Sequence, residues 1–207
     1  MAKRIGGVSD KLLTCAREEF MEMGFQDASL RVIAAKAGTS PCSIYTRFHD
    51  KEGLFHALVD EVVEHFLSWF LSEQAAFDER AVEAKADVLD YASDKFELMV
   101  DYLYDHYDVF RLMVRCADID CYEKMLDRLI EIDNEYTLRY MTSTGHDAIA
   151  SGRMTPELMH MLANAYYSGL FETIRHEMPR DRAHIYVRQL RRFFVMGWAD
   201  LLQIERA

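Results

Sequence analysis

Glycine and proline are scarce in this chain of 207 residues, which contains nine glycines and three prolines. Helices therefore have few positions at which they must break, and half of the residues are hydrophobic, enough for a sizeable core. No apolar run approaches the roughly 18 residues that a membrane-spanning helix requires. The basic segment at residues 1–10 lacks the apolar stretch of a signal peptide. We therefore expect an all-helical protein of the cytoplasm, with no membrane partner.

Paired cysteines are also lacking. The four cysteines, Cys15, Cys42, Cys116 and Cys121, form no Cys-x-x-Cys motif of the kind that zinc and redox sites use. In a reducing compartment they are most simply free thiols. Two alternatives stay open for Cys116 and Cys121, which could form a redox pair or join a metal site.

Common catalytic motifs are absent from the sequence, including a GxSxG nucleophile, a P-loop and a GxGxxG turn. A di-metal helical bundle needs two Glu-x-x-His motifs, and the chain has one, at Glu157 and His160. We expect no enzyme activity, no catalytic residue, no cofactor and no metal. Three pairs four residues apart could hold a metal on one helix, although such pairs are more often ion pairs: His56/Asp60, Glu61/His65 and Glu172/His176.

Apolar residues recur at helical spacing along most of the chain. Asp50 suits the N-cap of a helix that we expect to end near residue 72, with a polar break at Phe77–Arg80. Thr155 followed by Pro156 predicts another helix start, and Pro179 closes that helix. Other helices are predicted to end near residue 106, to span about 119–142 and to run from about 181 to 204, with a loop at 143–153.

A helix, a tight turn and a second helix are predicted between residues 29 and 54. Ile33 and Ala34 share the apolar face of the first helix, and Gly38 can adopt the left-handed conformation that ends it. Ser40 suits an N-cap and Pro41 suits the first position of the next helix. This arrangement is the helix-turn-helix with which many proteins read DNA.

The segment resembles the N-terminal domain of TetR-type transcriptional regulators. The residues that carry the resemblance are Ile33-Ala34, Ala37-Gly38, Ser40, Ile44-Tyr45, Phe48, Lys51-Glu52 and Leu54, preceded by a first helix with Leu12, Leu13, Ala16, Phe20 and Gly24-Phe25. The resemblance covers about the first quarter of the chain, and the rest is similar in length and helical character.

This resemblance implies an all-α fold. A three-helix DNA-binding domain at residues 1–50 is expected, joined by a long helix to a helical-bundle domain for effector binding and dimerisation at residues 51–207. The implied function is that of a ligand-responsive repressor, which binds a palindromic double-stranded DNA operator as a homodimer and is released by a small lipophilic effector. An alternative is a helix-turn-helix activator or adaptor without a small-molecule effector.

The candidate DNA-binding residues lie at the start of the second helix and beside it. In the family, the positions that match Pro41, Cys42, Ser43 and Thr46 touch bases, and those that match Tyr45 and Lys51 hold phosphates. For Tyr45, core packing is an equal alternative. Arginine side chains can grip guanine with two hydrogen bonds, which adds Arg31 and Arg47. Ser29 and Ser40 cap helices whose N-termini can receive phosphates.

Charge divides unevenly along the chain. Residues 1–51 carry eight Lys and Arg against six Asp and Glu, a net charge of +2. The other 156 residues carry a net charge of −13, so that the whole chain carries −11. An acidic body repels phosphate and favours an approach to DNA through the N-terminal part.

Two further sets of residues are expected from the resemblance. An effector would be enclosed by aromatic and methionine side chains at helical spacing, although each of them is more often ordinary core; the sequence does not choose among drug, fatty acyl, aromatic or signalling molecules. The last two helices are apolar on more than one side, which favours a four-helix dimer interface over packing within one subunit. The effector set is Phe66, Trp69, Phe70, Phe96, Met99, Tyr102, Phe110, Met113, Met125, Tyr136, Tyr140 and Tyr167. The dimer set is Leu162, Tyr166, Leu170, Ile174, Val187, Leu190, Phe194, Trp198 and Leu201.

Overall fold

The computed structural model describes residues 6–84 and 88–203, with side chains over residues 7–77 and 97–203. Within these residues the chain forms nine helices and no strand, which confirms the all-α prediction. The helices are α1 (Gly6–Asp27), α2 (Leu30–Lys36), α3 (Pro41–Phe48), α4 (Lys51–Ala84), α5 (Val88–Asp105), α6 (Tyr107–Arg115), α7 (Cys121–Ser143), α8 (Pro156–Arg175) and α9 (Arg180–Leu201).

The predicted end of α4 near residue 72 and the break at Phe77–Arg80 were wrong. Helix α4 is continuous from Lys51 to Ala84. The polar segment contains neither glycine nor proline, and its Asp, Glu and Arg residues are tolerated in a helix at a cost of a few tenths of a kcal/mol each. Polarity alone therefore does not mark the end of this helix.

Other local signals were confirmed. Gly38 has a φ of 70°, and Thr155 Oγ1 accepts a hydrogen bond of 3.2 Å from the Leu158 amide. Asp50 Oδ1 accepts a 2.7 Å hydrogen bond from the Gly53 amide and so caps α4. A Cβ at Gly53 would lie 2.0 Å from the Phe48 carbonyl oxygen, so only glycine permits this close approach of α3 to α4.

The chain forms two compact units. The first comprises residues 1–64 and 108–122, and the second comprises residues 65–107 and 123–207. In the described part of the first unit, the core centres on Phe20, Phe25 and Phe55, whose ring centroids lie 5.4–5.7 Å apart. The boundary expected at residue 50 separates a DNA-binding domain from an effector-binding and dimerisation domain. The division into compact units does not test this boundary, which stays a prediction.

The core of the second unit is also rich in aromatic side chains. The Trp69 and Tyr102 rings stack with an interplanar angle of 9°, and Phe66 lies 5.3 Å from Tyr102 by ring centroids. Phe70 meets the buried Tyr167 edge-to-face at 5.9 Å. Edge-to-face and offset contacts of this kind stabilise a core beyond the area that they bury.

A cluster of charged side chains joins α5 to α9 within the second unit. His184 Nδ1 lies 2.5 Å from Glu97 Oε2, and Arg188 Nε donates to Glu97 Oε1 at 2.8 Å. Arg180 donates to Asp101 at 2.6 Å. The hydrogen bond from Arg188 holds the pKa of Glu97 below its ordinary value, and the one from Arg180 does the same to the pKa of Asp101.

Acidification is expected to destabilise the fold through this cluster. A carboxyl group whose folded pKa is depressed adds stability above its unfolded pKa of about 4, and that stability is lost as the pH falls through the folded pKa. Both carboxylates are more than a third exposed, so solvent screening limits their joint contribution to about 1 kcal/mol. Urea unfolding at pH 7 and pH 3 should therefore show a smaller loss of stability for the double variant Glu97→Gln/Asp101→Asn than for the wild type. The variant Glu131→Gln, in an exposed pair on α7, serves as control and should behave as the wild type; an equal loss in the double variant would contradict the role of the cluster.

Candidate functional site

Helices α2 and α3 form the predicted helix-turn-helix. Ile33 and Ala34 of α2 and Ile44 of α3 are completely buried. The turn between the helices contains Gly38 in the left-handed conformation. The Thr39 amide donates to the Ala34 carbonyl oxygen at 2.9 Å, which closes the end of α2. One side of each helix is thus fixed in the core, and the other side faces outwards.

The serine caps were predicted in part correctly. Ser29 and Ser40 both occupy N-cap positions with extended backbone, as expected. Neither side chain accepts a hydrogen bond from its helix, however, so the capping bond itself is absent at both. The Ser29 amide instead donates to the buried carboxylate of Glu19 at 3.3 Å, and Ser40 is exposed at the start of α3.

Most of the side chains predicted to meet DNA lie on the outer side of α3. Cys42, Tyr45, Thr46 and Arg47 are exposed, and Tyr45 retains 54% of its accessible surface, which weighs against a packing role. Pro41 and Ser43 are half-buried, whereas Arg31 on α2 is exposed. The structure therefore brings the α3 residues together on one surface.

Several of these polar groups are held by bonds within the helix-turn-helix. Thr46 Oγ1 donates to the Cys42 carbonyl oxygen at 2.8 Å, and Arg47 Nη1 donates to the Ser43 carbonyl oxygen at 3.2 Å. The hydroxyl groups of Thr39 and Ser43 share a bond of 2.7 Å. A guanidinium has five N–H donors, so Arg47 can keep this bond and still present a pair of donors to a base or a phosphate.

The comparisons with known proteins point to the same segment. Residues 12–58 match the family model described as bacterial regulatory proteins, tetR family. The HTH-type transcriptional regulator UidR of Escherichia coli K12 is 37% identical over 60 residues, which are 29% of this chain and 31% of UidR. At residues 12–58 the chain is similar to the TetR family. The match thus spans less than a third of the length of that relative.

Solved structures extend the likeness to the fold of the whole TetR-type chain. A TetR-family protein from Mesorhizobium loti MAFF303099 has a TM-score of 0.59 at 18% identity, over 95% of this chain and 98% of that one. A TetR-like transcriptional regulator from Rhodococcus sp. RHA1 has a TM-score of 0.56 at 19% identity, over 97% and 98% of the two chains. At these identities the likeness shows a shared fold.

Within residues 12–58, Lys51 has a structural role that the sequence did not reveal. Its ammonium donates to the carbonyl oxygens of Gln26 at 2.9 Å and Ala28 at 3.2 Å, and lies 4.9 Å from the centre of the Phe25 ring. These bonds tie the start of α4 to the end of α1 and to Ala28, which follows it. Contact of Lys51 with phosphate stays a prediction.

A second tie was also missed. Lys36 Nζ lies 2.9 Å from Glu19 Oε2, and the hydrogen bond between them raises the pKa of Lys36. Glu19 is 5% exposed, because it lies on the same side of α1 as the buried Leu12 and Ala16. The sequence could have predicted that Glu19 has a partner, because a carboxylate on the apolar face of a helix needs one when it is buried.

The predicted effector residues are distributed over both units. Phe110 and Met113 belong to the first unit, and the other described members belong to the second. Trp69, Tyr102, Tyr136 and Tyr140 are half-buried, whereas Phe66, Phe70, Met99, Phe110, Met113, Met125 and Tyr167 are buried. The side chain of Phe96 lies outside the described residues. Effector contact by this set stays a prediction.

The predicted dimer residues divide by burial. Leu162, Leu190, Phe194, Trp198 and Leu201 are half-buried, whereas Tyr166, Leu170, Ile174 and Val187 are buried inside their own subunit. Sequence reasoning missed the exposed apolar side chains of the same helices: Met161, Ile185, Phe193 and Met196. Phe193 alone retains 75% of its surface. Dimer contact by the predicted set stays untested.

Replacement of Lys51 by methionine should lower the thermal stability of the protein. The substitution keeps the apolar stem but removes two hydrogen bonds to carbonyl oxygens, each worth about 1 kcal/mol net. Thermal unfolding followed by circular dichroism measures the effect, with the exposed Lys11→Met on α1 as control. A melting temperature equal to that of the control variant would show that the observed bonds contribute nothing to stability.

Proposed function

We propose that this protein is a transcriptional regulator that binds a DNA operator through α3. The observation that carries the proposal is the one-sided burial of α3: Ile44 is fully buried, whereas Cys42, Tyr45, Thr46 and Arg47 are exposed together. Side chains near the N-terminus of such a helix reach base edges in the major groove. Arg31 lies on the helix before it and can reach the phosphate backbone or a guanine. The family of the N-terminal domain supports this assignment.

We further propose that the regulator is a homodimer. Helix α9 carries Ile185, Phe193 and Met196 as exposed apolar side chains, and α8 carries Met161. Monomeric proteins rarely expose large apolar patches, so a second copy of the chain would cover these residues. An open apolar groove of about 690 Å³ includes Leu162, Phe193, Phe194, Trp198 and Leu201. A two-fold symmetric dimer would bind a palindromic operator, because its two α3 helices present the same surface to two half-sites.

A small lipophilic effector would act on the second unit. The half-buried side chains of Trp69, Tyr136 and Tyr140 would border the site, and Gln74 Nε2, which donates to Asp133 Oδ1 at 2.9 Å, would supply a polar group. Apolar walls with a few placed polar groups are typical of small-molecule sites. The effector would release the operator by binding better to the conformation that does not fit DNA. We place this repressor in the cytoplasm.

An activator or adaptor without a small-molecule effector is the second candidate. The depth at which most of the predicted effector residues are buried favours it, because Phe66, Phe70, Met99 and Tyr167 are each at most 1% exposed, as ordinary core residues are. It would bind DNA through the same surface of α3. The two candidates differ in whether a saturable ligand changes operator affinity.

The DNA upstream of the gene that encodes this protein is the first operator to test. Fluorescence-anisotropy titration at two salt concentrations should show tight, salt-sensitive binding that excess random DNA does not displace, at two subunits per site. Arg47→Ala should weaken binding about 10- to 100-fold, since a paired contact from arginine to guanine is worth about 1–3 kcal/mol. Arg128→Ala, an exposed arginine on α7, should bind as the wild type. Equal affinity of the Arg47 variant and the wild type would remove Arg47 from the proposed DNA contacts.

A further inference from the structure

Three side chains with metal-ligating atoms converge in the first unit. His56 and Asp60 lie one turn apart on α4, and His56 Nδ1 is 2.8 Å from Asp60 Oδ1. Cys121, the first residue of α7, places its Sγ 3.7 Å from each ring nitrogen of His56. One ligand atom from each of the three residues lies within 4.8 Å of the other two. Sixty-five residues separate His56 from Cys121 in the sequence, so the fold creates this group.

We propose that His56, Asp60 and Cys121 bind a divalent metal ion of the zinc class. Imidazole, carboxylate and thiolate are all ligands that Zn²⁺ accepts, and the thiolate disfavours magnesium and calcium. Bonds of about 2.0–2.3 Å at tetrahedral angles separate two ligand atoms by about 3.3–3.6 Å. The sulfur-to-nitrogen distance of 3.7 Å is close to that value, and the distance of 2.8 Å requires a shift of about half an ångström.

The surroundings of His56 suit metal binding through Nδ1. Glu52 Oε1 lies 3.8 Å from His56 Nε2, whereas Asp60 contacts the other ring nitrogen, Nδ1. A ligating histidine commonly donates its other N–H to a carboxylate, which fixes the tautomer and the ring orientation. Glu52 would serve in this way, as a positioning residue rather than a ligand.

The group is accessible from solvent. The side chain of His56 is 34% exposed and that of Asp60 is 52% exposed, whereas Cys121 is buried. An ion can therefore enter from the outer side, where water would complete its coordination. Binding requires the thiolate, so the Cys121 proton leaves to solvent when the metal binds.

A matched pair elsewhere in the chain lacks the third ligand. Glu172 on α8 and His176 at the C-cap of that helix lie four residues apart, with His176 Nε2 3.0 Å from Glu172 Oε2. Within residues 7–77 and 97–203, only the group of His56, Asp60 and Cys121 brings three such ligand atoms together. The Glu172/His176 pair therefore serves as a control. A metal ion that associates loosely with any histidine and carboxylate would bind there as well.

Cobalt titration of the reduced, chelator-treated full-length protein tests the site without any DNA. One Co²⁺ per chain is expected to produce an intense near-ultraviolet band from thiolate-to-metal charge transfer. Cys121→Ser should abolish the band, whereas Cys42→Ser and Cys15→Ser should retain it. Absence of the band from the wild type, or its survival in Cys121→Ser, would overturn the proposal.

Two further variants test the remaining ligands. His56→Gln and Asp60→Asn should each weaken Co²⁺ binding at least tenfold, and His176→Gln should leave it unchanged. Circular dichroism is used to check that each variant is folded. If Cys121→Ser unfolds, His56→Gln, at a half-buried position, decides the test in its place. Saturating Zn²⁺ should also raise the melting temperature of the wild type more than that of His56→Gln. Equal Co²⁺ affinity, or an equal rise with Zn²⁺, in folded His56→Gln would show that the three side chains form a hydrogen-bonded cluster only. This outcome is independent of the proposed function, because neither measurement involves DNA.

Discussion

The surface proposed to bind DNA depends on the burial of one side of α2 and α3. Ile33, Ala34 and Ile44 have no accessible surface, and the Phe20, Phe25 and Phe55 rings form the centre of the same core. Full burial of an isoleucine or phenylalanine side chain contributes about 1.5–3 kcal/mol, so three or four such residues can determine the orientation of a helix of eight residues. Because α3 cannot rotate without exposing Ile44, the identity of its outward-facing side chains is fixed.

Polar contacts then set how α3 leads into α4. The Asp50 cap starts α4 directly after α3, and the absence of a Cβ at Gly53 allows the Phe48 carbonyl oxygen to approach. Lys51 ties the same turn to the carbonyl oxygens of Gln26 and Ala28. These contacts join the first turn of α4 to α3, which precedes it, and to the residues that precede α2. The first turn of α4 therefore helps to hold α3 in position. Lys51, which matches a position expected to hold phosphate, thus also makes hydrogen bonds within the protein.

Local signals in the sequence predicted the helix-turn-helix, whereas contacts between distant residues were beyond them. Gly38 and Asp50 were predicted correctly because a left-handed turn and a helix cap each depend on a few neighbouring residues. The length of α4 was missed because nothing in its polar segment is incompatible with a helix. The group of His56, Asp60 and Cys121 was visible only as a pair on α4, since the periodicity of one helix carries no information about which cysteine packs against it.

Burial explains why the dimer and effector sets could not be separated from the core. Apolar residues at helical spacing predict a buried face, but they do not say whether the same chain or a partner buries it. Leu170 and Ile174 fill their own subunit, while Phe193, which the sequence pattern passed over in favour of Phe194, is the most exposed large apolar residue described. Exposure in the folded subunit is the information that the sequence lacks.

The central claim is that the outer side of α3 faces DNA, and Cys42 reports on it directly. Cys42 is exposed on α3, Cys116 and Cys121 are buried, and Cys15 is half-buried and can be replaced by serine. Burial also raises the pKa of Cys116 to about 12, which keeps that thiol unreactive. The rate at which a maleimide labels Cys42, followed by mass spectrometry, should fall at least tenfold when operator DNA is bound. An unchanged labelling rate on protein that anisotropy shows to be fully bound would mean that DNA lies on another surface.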